Sequence, residues 1–388
     1  MNVEVVEVLP ETVAAAVAAF RTRGGFETLA VDWTLLMHDA NPGRLALRWV
    51  IARRGQDVRA VATAHIVRRL ALGEYVGGKA AWLTDACRRI GRVPLSFDVA
   101  YMEIPLLNQE GLFFAPDADS GERAKLARAM ITAFDAELPA DAVCVKETIG
   151  RESGGTEGLR FATLPFTSRY VLELAGDTLT EEAWLANRSA TRRATIRRNI
   201  RIFEATGAVL ETLTDPAAHA SRLAELLCRT AAQARERGEI PMPMDVGPLW
   251  FERFPERMGG NGLVRVVRVG DEIVAFSVLV LGHDTLFWRF VGLDYIESHS
   301  SRSYFRLVYD AVQMAVLHRL RFVDMGTGTA HVKLPLGCTA VPTHYCIRFR
   351  RRLRHIGPLI AALLDRRFRS LTHNQASVPL PEPFSGRP

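Results

Sequence analysis

Gly262-Leu-Val-Arg-Val-Val-Arg-Val-Gly270-Asp-Glu-Ile-Val-Ala-Phe-Ser-Val-Leu-Val-Leu281 opens the stretch that decides the fold. Two β-branched runs, Leu263–Val269 and Glu272–Leu281, flank a Gly-Asp pair, the signature of a hairpin. His283-Asp284 turns the chain again, and Thr285–Leu293 reads as a third strand. Ser303–Arg319 then places Val308, Ala311, Val312 and Ala315 on one helical face. Arg321–Met325 is a fourth strand, Gly326 and Gly328 open a loop, and Thr343–Phe349 is a last strand.

Upstream, the same grammar occurs once more. Leu45–Ala52 and Val58–Val67 form a hairpin, Val99–Pro105 and Gly111–Phe114 add strands, Glu122–Phe134 is a helix, and Ala142–Glu147 is a short strand. Residues 1–40 read as helical, with Val13–Phe20 and Trp33–Met37 as their apolar parts, and Tyr170 starts a strand. The repetition at a separation of roughly two hundred residues implies two copies of one unit. The expected fold is a mixed α/β (α+β) chain of two tandem units, each a mainly antiparallel mixed sheet flanked by helices. The expected division is 1–175, a basic connecting helix at 176–210, a second unit at 211–355, and an amphipathic helix with a disordered tail at 356–388.

The basicity of the chain is local. The net charge is +6, but Arg188–Arg201 holds six arginines and no acid, and Arg348–Arg369 holds eight arginines against Asp365. In the first run Ile196, Ile200 and Phe203 share one helical face and Arg193, Arg197 and Arg201 a neighbouring row. Such patches suit a polyanion. Ala217–Arg237 is a long helix stopped by Gly238.

No run of about 18 uncharged apolar residues exists, and the N-terminus lacks a basic start and apolar core, so a cytoplasmic protein without a membrane span is expected. The five scattered cysteines read as reduced thiols. Cys338 and Cys346 lie near His344 at a spacing that fits no zinc signature, so no metal is expected. The patterns G-x-x-x-x-G-K-[ST], H-E-x-x-H and G-x-S-x-G are absent.

Gly270–Ser277, Phe290–Tyr295 and the helix from Ser303 resemble the Gcn5-related N-acetyltransferase (GNAT) superfamily. Gly292-Leu-Asp294-Tyr295, Asp324-Met-Gly326, Lys333-Leu-Pro-Leu-Gly337 and Leu164-Pro-Phe-Thr-Ser-Arg-Tyr170 are similar to its tandem, FemAB-like branch. The resemblance implies an N-acyltransferase that moves an acyl group from acyl-CoA, a co-substrate and not a resident cofactor, to an amine of a small molecule, amino acid or peptide. The glycines that usually admit the coenzyme A pyrophosphate are replaced in Ser298-His-Ser-Ser-Arg-Ser-Tyr304. Two alternatives therefore stay open: an aminoacyl-tRNA donor bound through Arg192–Arg201, and a binding protein without catalysis.

The same resemblance implies the site. Asp294, Tyr295 and Asp324 are the candidate catalytic residues, with Asp324 opening into the cleft. Val291, Gly292, Ser301, Arg302 and Ser303 would hold the donor, Gly292 by admitting another backbone. Arg289, Glu297, Tyr304 and Lys333 would hold the acceptor.

Overall fold

A computed structural model describes residues 2–7, 20, 28–71, 73, 75, 87, 96–107, 109–148, 156–174, 180–239, 242–350 and 353–377, with side chains to residue 370. The expected helix at 13–19 and the tail beyond 377 lie outside the described residues. The chain forms two compact units that are not contiguous blocks. The described residues within 1–166, 234–259 and 343–368 form the first, and those within 167–233, 260–342 and 369–388 the second.

In the first unit the strands are β1 (Asn2–Val6), β2 (Leu45–Arg54), β3 (Asp57–Ala71), β4 (Ser96–Ile104), β5 (Gln109–Glu110), β6 (Leu112–Phe114), β7 (Ala142–Thr148) and most of β14 (Thr339–Phe349). Their order is β1-β2-β3-β4-β7-β14, with β5 on β4 and β6 on β3. β4 and β7 are parallel, and the other pairs are antiparallel. The N-terminus is thus a strand where a helical start was expected. Val3 and Val5 alternate toward the core as β1 pairs with β2, and this tertiary pairing overrides local propensity.

Helix α1 (Thr28–Ala40) packs on α6 (Pro248–Met258), where Trp33 and Trp250 meet edge to face at 5.6 Å. No element expected from the sequence corresponds to α6. Helix α2 (Ser120–Glu137) starts at Asp119, whose carboxylate accepts the N–H of Glu122, and buries Leu126, Met130 and Phe134. Helix α10 (Gly357–Ser377) buries Ile360, Leu364 and Phe368.

The second unit has the order β9-β10-β11-β12-β13-β8, from β8 (Ala162–Glu173, whose residues from 167 belong here), β9 (Val209–Thr212), β10 (Gly262–Val269), β11 (Glu272–Leu281), β12 (Thr285–Leu293) and β13 (Phe322–Asp324). Again one pair is parallel, β12 with β13, and the strands on either side are antiparallel. Each unit therefore runs hairpin, strand, helix, parallel strand. Short α3 (Glu181–Ala186) precedes α4 (Ala190–Ala205), the basic helix, which buries Ile196 and Phe203, and α5 is Ala220–Glu236. Helix α7 (Tyr295–Ser300) leads into α8 (Ser303–Leu317), whose Val308, Ala311, Val312 and Ala315 are wholly buried, and α9 is Ala330–Lys333.

Candidate functional site

The site of interest in the second unit begins with a defect in its sheet. β12 pairs with β13 only at Thr285–Phe287, opposite Phe322–Asp324, while β12 itself runs on to Leu293. On the β11 side the register skips a residue: Ser277 faces Val291 and Val278 faces Arg289. Phe290 is the extra residue, a bulge with φ of 32°. Past Phe287, β12 thus has no strand partner on its β13 side among the described residues, and the bulge re-aims its backbone there.

Helix α8 starts beside this edge. Arg302 holds the left-handed conformation (φ 56°) that joins α7 to α8. Ser301 and Ser303 are buried, and their hydroxyls share a hydrogen bond of 2.5 Å. Ser301 also donates to the Glu297 carbonyl. Both serines thus turn their hydroxyls inward. The tight turn leaves the backbone N–H groups of the first turn of α8 as the ordinary unsatisfied donors of a helix start.

Asp324, expected to open into the cleft, and Arg289 and Lys333, expected to hold the acceptor, are buried in the protein's own bonds. Asp324 is wholly buried. Its carboxylate accepts from Arg169 Nη1 at 2.5 Å, from Arg289 Nη1 at 3.2 Å and from the Gly326 N–H at 2.8 Å. Burial alone would push its carboxyl up, but Arg289, Arg169 and the Gly326 N–H together hold it below the ordinary carboxylate value. Arg289 points inward to this pair, and its Nη1 also donates to the Trp288 and Asp324 carbonyls. Lys333 is 2% exposed; Nζ donates to the Thr327 carbonyl at 2.7 Å and lies over the rings of Tyr170 and Trp288. Gly337, the other end of the Lys-x-x-x-Gly segment, is left-handed, and a Cβ there would meet Arg188.

Asp294 caps α7. One oxygen accepts the N–H groups of Ile296 and Glu297, and the other accepts Arg229 Nη1 at 2.6 Å, with Arg222 at 4.0 Å. Tyr295 is half-buried and packs on the cluster around Phe203 and Leu307. Val291 is half-buried between two core clusters. Gly292 admits side chains of its own unit: a Cβ would stand 2.1 Å from Phe276 Cε1 and 2.9 Å from Leu226 Cβ.

Tyr304 keeps its ring near the open edge, and Glu297 stays exposed. Glu297 is exposed on the first turn of α7. The Tyr304 hydroxyl shares a 3.0 Å hydrogen bond with Thr329 Oγ1, and its ring lies 5.9 Å from that of Trp288, the first β12 residue past the paired segment. Arg169, Arg222, Arg229 and Trp288 are not among the site residues the sequence marks. The first three arrive from β8 and α5, and no local spacing links them to the carboxylates they hold.

On α4 and just before it the arginines divide. Arg188 and Arg193 donate to backbone carbonyls. Arg197, Arg198 and Arg201 are exposed and have no carboxylate partner among the described residues. Among the described residues no helix is long and apolar enough to cross a membrane.

Residues 190–334 match the family model described as an acetyltransferase (GNAT) domain. Among solved structures the chain is similar to FemX, at 11% identity over 92% of this chain and 100% of that one, with a TM-score of 0.53. It is also similar to the C-terminal DUF2156 domain of a protein assigned as a lysylphosphatidylglycerol synthetase from Agrobacterium fabrum, at 9% identity over 91% and 97%, with a TM-score of 0.51. A conserved protein of unknown function from Bacteroides thetaiotaomicron is similar at 11% identity over 89% and 100%, with a TM-score of 0.52. At these identities the likeness is one of fold. A search of curated proteins finds no match.

Proposed function

We propose that this chain, which carries an acyltransferase domain of the GNAT superfamily with FemAB-like relatives, moves an acyl group from a coenzyme A thioester to an amine. One observation carries the reading: β12 leaves β13 after Phe287 and bulges at Phe290, opening a strand edge beside the start of α8. An extended acyl arm adds to such an edge as a strand does. Backbone N–H groups of Arg289–Gly292 then polarise the thioester carbonyl as the tetrahedral oxyanion forms.

The donor phosphates fit the first turn of α8, where backbone N–H groups and the positive end of the helix dipole favour an anion. Arg302 adds charge, and the inward Ser301 and Ser303 keep the turn compact. Glu297 anchors the acceptor ammonium and takes its proton, since a neutral amine is the nucleophile. Nitrogen attacks the carbonyl carbon, the intermediate collapses as the carbon–sulfur bond breaks, and the nitrogen sheds its second proton to solvent, from which Tyr304 is reprotonated through Thr329. Tyr304, relayed by Thr329, protonates the departing thiolate. Asp294 and Asp324 act as positioning residues: the first fixes α7, the second the strand ends from which the edge opens.

A second reading keeps the same site and changes the donor to an aminoacyl-tRNA. The exposed Arg197, Arg198 and Arg201, which have no carboxylate partner among the described residues, favour it. The deciding experiment is a thermal-shift titration with acetyl-CoA and, separately, with tRNA. A ligand that binds only the native state raises the melting temperature as its concentration passes Kd. A shift with acetyl-CoA supports the first reading. A salt-sensitive shift with tRNA alone moves the conclusion to the second, and no shift with either sinks both.

A further inference from the structure

In the first unit, β14 carries His344 and Cys346 two residues apart, so both side chains lie on one face of the strand. The register partner of His344 on the neighbouring strand β7 is Glu147. His344 Nε2 is 3.0 Å from Glu147 Oε2, and Cys346 Sγ is 3.5 Å from the same oxygen. The three ligand atoms all lie within 4.8 Å of one another. The Thr156 hydroxyl donates to the other Glu147 oxygen at 2.8 Å and touches Cys346 Sγ at 3.4 Å. Cys346 is buried, while His344 and Glu147 keep 17% and 12% of their side chains exposed, so the cluster has a route to solvent.

We infer that Glu147, His344 and Cys346 form a binding site for a zinc-type divalent cation. Zinc takes nitrogen and oxygen at about 2.0–2.1 Å and sulfur at about 2.3 Å, so tetrahedral ligand atoms stand roughly 3.3–3.6 Å apart. The two shorter separations already match that spacing within a few tenths of an ångström. Closing the sulfur–nitrogen pair needs a side-chain adjustment of about 1 Å. The donor set suits the ion: a thiolate and an imidazole select zinc over magnesium or calcium, which prefer oxygen. The charges balance as well, because one carboxylate, one thiolate and a neutral imidazole neutralise a dication. Binding displaces the Cys346 proton to solvent. Thr156 holds the carboxylate from the second oxygen, the usual device for orienting a metal ligand. Three protein ligands leave the fourth position to water. This site lies in the first unit and does not depend on the acyl-transfer reading of the second.

The test is a cobalt(II) titration of the full chain after chelator dialysis, followed by absorbance. Cobalt bound by a thiolate gives a charge-transfer band in the near ultraviolet. The expected result is one cobalt per chain, the band present, and its loss on adding equimolar zinc. Cys346→Ser should abolish the band, His344→Gln should weaken cobalt binding at least tenfold, and Cys338→Ser should leave both unchanged. His344→Gln keeps the test decisive if Cys346→Ser does not fold. Absence of the band in the wild-type chain overturns the proposal. So does a band that survives Cys346→Ser, a His344→Gln chain that binds as tightly as wild type, or a band lost in Cys338→Ser.

Discussion

Asp324 ends its strand opposite Phe287, the last register pair between β12 and β13, and its carboxylate stands 3.2 Å from Arg289, two residues further along β12. The ion pair therefore closes the paired part of the sheet at the point where the two strands part. Arg169 reaches the same carboxylate from β8, so one buried anion ties three strands together.

Asp324→Asn leaves two buried guanidiniums without their counter-charge. Breaking one partner of a buried pair costs about 3–5 kcal/mol. Urea denaturation should show a loss of that order. The stability supplied by the ionised carboxylate, whose value in the fold is depressed, is present above its ordinary value in the unfolded chain and is lost as the pH falls through the folded one. An unchanged denaturation midpoint would show that the triad does not hold the strands.

Gly292→Ala puts a methyl group 2.1 Å from the Phe276 ring. Overpacking of this kind costs about 1–3 kcal/mol. Phe276→Leu removes the obstructing ring atom, so the double variant should lose less than the sum of the two single losses. A strictly additive cycle would place the strain elsewhere.

His65 reports on pH in the first unit. Its ring is wholly buried, neither nitrogen has a hydrogen-bond partner among the described residues, and it stacks on Tyr101 at 5.4 Å. Burial pushes the imidazole from 6.5 down to about 3. The unfolded chain takes up this proton below pH 6.5 and the folded chain does not. The contribution is therefore complete above pH 6.5 and declines as the pH falls towards 3, by about 1.4 kcal/mol per pH unit. His65→Phe should flatten the stability profile across that window, measured by denaturant unfolding from pH 7 to about 4.

Tyr304→Phe keeps the ring against Trp288 and removes only the hydroxyl bonded to Thr329. If that hydroxyl is the proton donor, kcat should fall about 10²–10⁴-fold with KM little changed. A variant as active as wild type would remove Tyr304 from the mechanism.

Arg197, Arg198 and Arg201, replaced together by Glu, should leave folding intact, because none holds an ion pair among the described residues. Each phosphate that the helix no longer neutralises lowers the slope of log affinity against log salt by about 0.7 for a single strand and 0.9 for a duplex. A salt dependence of tRNA retention equal to that of wild type would exclude this helix as the binding surface.

Local pattern in the chain was enough to set the elements and their repetition. Alternating β-branched runs around Gly270-Asp271, the apolar face of α8 and the paired faces of α4 are short-range signals, and the structure keeps them within a few residues. Pattern did not reveal β1, because five residues carry little of it without the partner strand that stabilises them. The surroundings of the polar residues, in contrast, are set by packing between distant segments. Asp324 reads as opening into the cleft and Arg289 and Lys333 as acceptor ligands, yet all three are buried, since Arg169, Trp288 and Tyr170 converge on them from separate parts of the chain. The cluster of Glu147, His344 and Cys346 was hidden for the same reason: strand register, and not chain spacing, brings a residue 197 positions away into contact. Hydrogen bonds and ion pairs act over a few ångströms, and a sequence sets such distances only where its elements are already neighbours.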